Sequence, residues 1–132
     1  MLLKELAQQR FRVIDGDSVR LGGKTFSKAR VDRNDNLVVM NADYVEELWK
    51  GTQGYVGPAP EYKNQIGDRI ERFKKFYEEN DNIHAGNVHI SKRRNLIDFG
   101  DGRHRTRVLI EKGYDQIPLT MSNEALQNLR AM

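Results

Sequence analysis

One fifteen-residue stretch, residues 96–110, constrains the fold more than any other part of the chain. It reads LIDFGDGRHRTRVLI. The apolar start and the two glycines predict a buried strand and a tight turn, and the remainder predicts a helix that begins near Arg103. The first turns of this helix carry three arginines and a histidine, although cations are unfavourable at a helix N-terminus. Because unpaired backbone N–H groups at such a terminus bind anions, the pattern predicts a phosphate site.

Composition limits the chain to a small soluble fold. Its 132 residues suffice for one domain with a modest core, and 31% of them are charged. No apolar run approaches the roughly 20 residues that a membrane span needs, and residues 1–6 are too short and too charged for a secretory signal. We therefore expect a cytoplasmic protein without a membrane partner. The absence of cysteine excludes disulfides, thiolate catalysis and cysteine metal sites.

Positive charge is concentrated near the glycine-rich turn. The net charge of +3 is ordinary for this length. Between Lys92 and Arg107, however, six lysines and arginines accompany only Asp98 and Asp101. This local excess favours a polyanionic or phosphate-bearing partner.

Residues 1–60 are predicted as an N-terminal β-meander and loop region. Residues 1–10 are predicted to form a short helix or an arm. Asp-Gly and Gly-Gly pairs separate β-prone runs in residues 11–40, which predicts a meander of three or four strands. Asn41 can cap a short helix that ends at Lys50. Residues 51–60 contain three glycines and two prolines, and a loop of this length suggests a functional role.

The second half of the chain alternates helices with strands. The spacing of Ile66, Ile70, Phe73 and Tyr77 predicts a helix over residues 61–80. Strands are expected at 88–90 and 96–99, and the helix from Arg103 should end at Gly113. A final strand at 115–120 contains Pro118, which suggests an edge position. Ser122 is expected to cap a last helix over 122–132.

This order of elements resembles the ParB/sulfiredoxin superfamily. In that family a strand pair leads through a D-G-x-H-R loop into a helix, and a G-x-x-x-I-P strand follows. The resemblance spans residues 61–121 and implies an α/β (α+β) fold with a mixed sheet and flanking helices, as a single domain over residues 1–132. The matching residues are Val88, Ile90, Asn95, Ile97, Asp101, Gly102, His104, Arg105, Gly113, Ile117 and Pro118.

The resemblance implies a nucleotide-phosphate site and leaves the reaction open. Sulfiredoxins bind ATP at this loop and ParB proteins bind CTP, so the implied cofactor is ATP or CTP with Mg²⁺. Arg103 stands where sulfiredoxins have their catalytic cysteine, which excludes sulfinic acid reduction. The further domains of ParB partition proteins do not fit within this length.

Five consecutive residues are the predicted phosphate-binding group. A glycine lets the backbone approach a phosphate closely, and arginine, histidine and threonine side chains can donate hydrogen bonds to its oxygens. The same residues are also typical of an ordinary strand-to-helix turn and a solvated helix face. The group comprises Gly102, Arg103, His104, Arg105 and Thr106.

Asp101 and His104 are the candidate catalytic residues. Asp101 could bind a metal or orient His104, but an aspartate before a glycine is also a common turn former. His84 and His89 do not have the spacing of metal ligands, and no third ligand is evident, so no metal site is predicted from protein side chains alone.

A second basic group is predicted to contact nucleic acid. Lys92, Arg93 and Arg94 lie in the expected turn between two strands, and Arg107 lies one helical turn after Arg103. Each can neutralise a backbone phosphate, although such residues are more commonly only solvated.

The sequence therefore predicts a protein that binds the phosphate of a nucleotide or nucleic acid, with NTPase and nuclease activity both open. The alternative is a non-catalytic DNA- or RNA-binding accessory protein, or a protein inhibitor, of the kind that mobile elements encode. A homodimer or a protein partner is compatible with each interpretation.

Overall fold

The computed structural model describes residues 10–29 and 34–132. Within these residues the chain forms eight strands in two mixed sheets and four helices, so the predicted α/β (α+β) class is confirmed. The predicted helix or arm at residues 1–10 lies outside the described residues, apart from Arg10. In the described part of the chain, no helix has the length and apolar character needed to cross a membrane.

The larger sheet has five strands in the order β1–β4–β8–β6–β7. β6 and β8 are parallel, and the other neighbours are antiparallel. The edges are therefore β1 and β7. The strands are β1 Phe11–Val13, β4 Asn36–Asn41, β6 Gly86–Ser91, β7 Leu96–Asp101 and β8 Gln116–Met121.

The smaller sheet has three strands, β2 Ser18–Leu21, β3 Lys24–Ser27 and β5 Asn82–His84. β2 and β3 are antiparallel, whereas β3 and β5 are parallel. Four strands are present where three or four were predicted in residues 11–40, but the prediction that they form a single meander is wrong. β1 pairs with β4 in one sheet, while the β2–β3 hairpin pairs with a strand from the second half of the chain.

The helices are α1 Ala42–Trp49, α2 Arg69–Glu79, α3 Arg103–Glu111 and α4 Asn123–Arg130. The Oγ of Ser122 accepts a hydrogen bond from the N–H of Ala125, which confirms the predicted cap of α4. Gly113, with φ of +93°, follows the end of α3 as expected. α1, α3 and α4 pack on the five-stranded sheet, and α2 packs on α3. The apolar core that they form also includes Phe26 and Ile83 of the smaller sheet.

The helix predicted from residue 61 begins only at Arg69. Tyr62 and Asn64 have φ angles of +47° and +68°, and Gly67 has +54°, so the backbone of this segment leaves the right-handed helical region three times. Ile66 is consequently not part of the buried helix stripe and is 50% exposed. An irregular segment, residues 50–68, therefore joins α1 to α2.

The predicted edge position of Pro118 is wrong. Pro118 lies in β8 between β4 and β6, opposite Val39, and is buried. β6 is in register with β8 only at Leu119 and Thr120. The missing N–H of Pro118 therefore removes no hydrogen bond between β8 and β6.

Candidate functional site

The predicted phosphate loop lies between β7 and α3, and Gly102 sets its shape. Gly102 has φ of +88°, and a Cβ atom built on it would lie 2.7 Å from the Cα of Gly86 in β6. A residue other than glycine would be strained in its backbone and would collide with β6. The glycine is thus required for the packing of the turn, whatever ligand the turn binds.

The start of α3 has no cap from a side chain. The structure shows no side-chain hydrogen bond at the N-cap and no acidic residue in the first turn. The first hydrogen bond of the helix runs from the N–H of Thr106 to the carbonyl of Gly102. The N–H groups of Arg103, His104 and Arg105 therefore have no partner within the helix and give this end a partial positive charge.

A cavity of about 180 Å³ lies against this helix start, and we call it the loop pocket. Three arginines, Arg69, Arg103 and Arg105, line it together with one acidic residue, Asp101. α2 contributes Arg69 and α3 contributes the other two. The full lining is Arg69, Phe73, Phe99, Gly100, Asp101, Gly102, Arg103, His104 and Arg105.

Arg103 attaches the irregular segment to α3. Its Nη1 donates hydrogen bonds to the carbonyls of Gly54 and Asn64, at 3.1 and 2.9 Å. Burial, and then the charge of Arg69, lower the pKa of Arg103 from its usual value. A guanidinium has five N–H donors and remains protonated at neutral pH, so Arg103 keeps donors for a ligand.

Arg105 is the least satisfied cation of the site. Its Nη1 donates to the carbonyl of His84 at 2.6 Å, while its Nε is buried and has no hydrogen-bond partner. Burial lowers the pKa of Arg105, and Asp101 partly opposes this. An unpaired buried donor on a cation is costly, and the nearest ring, that of Phe73, lies 5.6 Å from the guanidinium carbon.

His104 is buried and neutral, so its predicted role as a hydrogen-bond donor to phosphate falls to one ring nitrogen and stays a prediction. It is only 6% exposed, and its Nε2 accepts a hydrogen bond from the N–H of Ile66 at 2.9 Å. Burial, with the charges of Arg103 and Arg69, lowers the pKa of His104 to about 4. Because Nε2 is the acceptor, the proton of the neutral ring is on Nδ1.

Thr106 and Arg107 are both buried and do not line the loop pocket. Thr106 is 1% exposed, so the predicted contact between its hydroxyl and a phosphate is not supported. Arg107 is 3% exposed, and its predicted contact with nucleic acid is wrong. Its guanidinium pairs with Glu46 at 2.5 Å and donates from Nε to the carbonyl of Val56 at 2.7 Å.

Arg107 belongs to an internal polar cluster. Its guanidinium carbon lies 5.2 Å from the ring centroid of Trp49 and 5.3 Å from that of Tyr55. The hydroxyl of Tyr55 donates to Glu46 at 2.7 Å. This cluster fixes the irregular segment to α1 and α3, and its role is structural.

The exposed basic turn is placed as predicted. Lys92, Arg93 and Arg94 lie at the tip of the β6–β7 hairpin and are exposed. Arg94 also lines a second cavity of about 570 Å³, which we call the hairpin groove. The groove lies between residues 51–54 and the hairpin, and its further lining is His89, Ile90, Ser91, Leu96 and Asp98.

Asp101 is exposed at the end of β7 and is the only described carboxylate that lines the loop pocket. Within residues 10–29 and 34–132 there is no group of three histidine, aspartate or glutamate residues that could hold a metal ion. A divalent cation at this site would therefore need phosphate oxygens and water as most of its ligands.

Arg69 is a site residue that the sequence did not reveal. It lies more than thirty positions before the loop, and its charge lowers the pKa of both Arg103 and His104. One feature of the sequence could have indicated it. Arg69 lies four residues before the buried Phe73, so both side chains lie on the same face of the helix.

No family model, curated protein or solved structure shows a significant match to this chain.

Proposed function

We propose that this protein binds a phosphate-bearing ligand, a nucleotide or a nucleic acid, through the loop pocket. The observation that carries the proposal is the uncapped start of α3 beside a cavity that three arginines line. Arg69, Arg103 and Arg105 share this lining with one acidic residue, Asp101. Such an excess of donors and positive charge suits a dianion. The order D-G-x-H-R also supports a relationship of the ParB/sulfiredoxin type.

The volume of the loop pocket limits what it holds. Pockets for whole small ligands measure roughly 300–1,000 Å³, so a cavity of about 180 Å³ fits a phosphate group and not an entire nucleotide. The remainder of ATP, CTP or a nucleic acid would lie outside it. Mg²⁺ would bind the phosphate oxygens, with Asp101 as its one protein carboxylate.

The proposal is binding, and catalysis is not part of it. Asp101 lines the pocket, and His104 carries its proton on Nδ1 with Nε2 already occupied. This arrangement makes His104 a donor and not a general base. NTPase and nuclease activity remain predictions from the sequence, as do a cytoplasmic location and a homodimer or protein partner.

The test is a thermal-shift titration with ATP, CTP and inorganic triphosphate, with and without Mg²⁺. A ligand at one hundred times its Kd stabilises a fold by about 2.7 kcal/mol, which corresponds to a rise of several degrees in Tm. Arg69→Ala should reduce this rise. Arg69 is exposed, so the melting temperature without ligand should barely change.

The matched control is Arg72→Ala, because Arg72 lies on the same helix, is exposed and pairs with Asp68 away from the loop pocket. It should retain the full ligand-induced rise. No rise with any of the three ligands, or an equal loss in both variants, would overturn the proposal and favour a protein inhibitor that does not bind phosphate.

A further inference from the structure

The hairpin groove and the loop pocket are both lined by residues of β7, the groove by Leu96 and Asp98 and the pocket by residues 99–101. A Cβ atom on Gly100 would lie 3.8 Å from Nε2 of His89, which lines the groove. A Cβ atom on Gly54 would lie 3.8 Å from Cδ of Arg103, which lines the pocket. The side chain of Asn87 lies 3.2 Å from the same position on Gly100, and Arg103 donates to the carbonyl of Gly54, so a ligand that reaches both cavities must pass over these contacts.

Positive charge lies at both ends of this combined path. Arg69, Arg103 and Arg105 are at the loop-pocket end, and the exposed turn 92–94 is at the other. β7 runs between the two ends, and its six residues span about 20 Å. The basic ends are therefore separated by much more than the size of one phosphate group.

The chemistry of the groove favours a nucleic-acid backbone over a base-specific ligand. Among its described lining residues there is no phenylalanine, tyrosine or tryptophan on which a base could stack. Thr52, Ser91 and Arg94 can bind sugar and phosphate oxygens, whereas Asp98 in the same lining can accept only from sugar hydroxyls. A cavity of about 570 Å³ is too small to enclose a duplex.

We propose that single-stranded nucleic acid binds along β7. One phosphate occupies the loop pocket, and the strand continues through the hairpin groove to Arg94 and the exposed turn. The inference rests on the proposed phosphate site and adds to it the ligand class and the path. It also explains the use of the basic turn, which a mononucleotide in the loop pocket would not reach.

The test measures fluorescence anisotropy with labelled single-stranded oligonucleotides of increasing length and a fixed base. Affinity should rise with length until the strand reaches the turn, and then level off. For single strands, the logarithm of affinity falls by about 0.7 per phosphate contact for each tenfold rise in salt. Arg94→Ala should reduce the slope of log affinity against log salt concentration by about 0.7. It should also weaken binding by about fourfold near 0.15 M salt.

Arg12→Ala is the matched control, because Arg12 is exposed on β1, the opposite edge of the sheet. It should leave both affinity and salt slope unchanged. Inorganic triphosphate serves as the second probe, and Arg94→Ala should leave its binding intact.

The outcomes separate this inference from the proposed function. If triphosphate binds and depends on Arg69 but oligonucleotide affinity does not grow with length, the inference fails and the phosphate site stands. If oligonucleotides bind through Arg94 but Arg69→Ala has no effect, the phosphate site fails. Equal binding of a duplex or of polyglutamate would show unspecific attraction of polyanions and overturn the inference.

Discussion

At the scale of the residue, Arg103, Arg105 and Arg107 occupy alternate positions of α3 and have different surroundings. Arg103 donates to two carbonyls of the irregular segment, and Arg107 is paired with Glu46 in the core. Arg105 retains an unpaired buried Nε. The Nη2 of Arg107 is likewise buried without a hydrogen-bond partner. The three are equivalent by residue type, and only their contacts with distant segments of the chain distinguish them.

The pH dependence of stability should report on His104. Its pKa is lowered to about 4 in the folded protein, against about 6.5 in an unfolded chain. Between these values the unfolded state binds a proton that the folded state does not, so stability falls as pH decreases from about 6.5 to about 4. The loss is on the order of 3 kcal/mol.

Urea unfolding across this pH range checks the prediction. His104→Gln keeps a side-chain acceptor for the N–H of Ile66 but does not titrate, so its stability should depend less on pH than that of the wild type. His89→Gln, at an exposed position, is the control and should retain the wild-type dependence. An unchanged pH dependence in His104→Gln would show that the imidazole is not held neutral.

At the scale of the element, the two ends of α3 are both formed by glycines with positive φ angles. Gly102 begins the helix with φ of +88°, and Gly113 follows it with +93°. The sequence predicted both positions from the pattern of glycines. It could not predict that Gly102 lies against Gly86, because that contact depends on how α3 packs beside β6.

Alanine substitution should distinguish these two glycines. Gly113→Ala has open space around the new Cβ, so only the left-handed backbone is penalised, by about 1–2 kcal/mol. Gly102→Ala has the same backbone penalty and a contact of 2.7 Å with Gly86, so we expect it to destabilise the fold at least twice as much. Denaturant midpoints measure both, and equal losses would contradict the described packing of the loop.

At the scale of the whole molecule, local patterns predicted the elements better than their assembly. Strand and helix positions around the loop followed from hydrophobic spacing, and Ser122 was correctly identified as a cap. The division of β1–β4 between two sheets, and the central position of Pro118, depend on pairing between distant segments. The tertiary packing decided the site in the same way, because it buried Thr106 and Arg107 and placed Arg69 of α2 beside the loop.

Titration with inorganic triphosphate, followed by the backbone amide resonances in an NMR spectrum, tests the central claim most directly. The amide groups of Arg103, His104 and Arg105 have no partner within the helix and should contact the anion. The account predicts that these three resonances shift and saturate together, and that Arg69→Ala weakens the titration. Saturable shifts confined to other parts of the molecule, or no shifts at all, would contradict it.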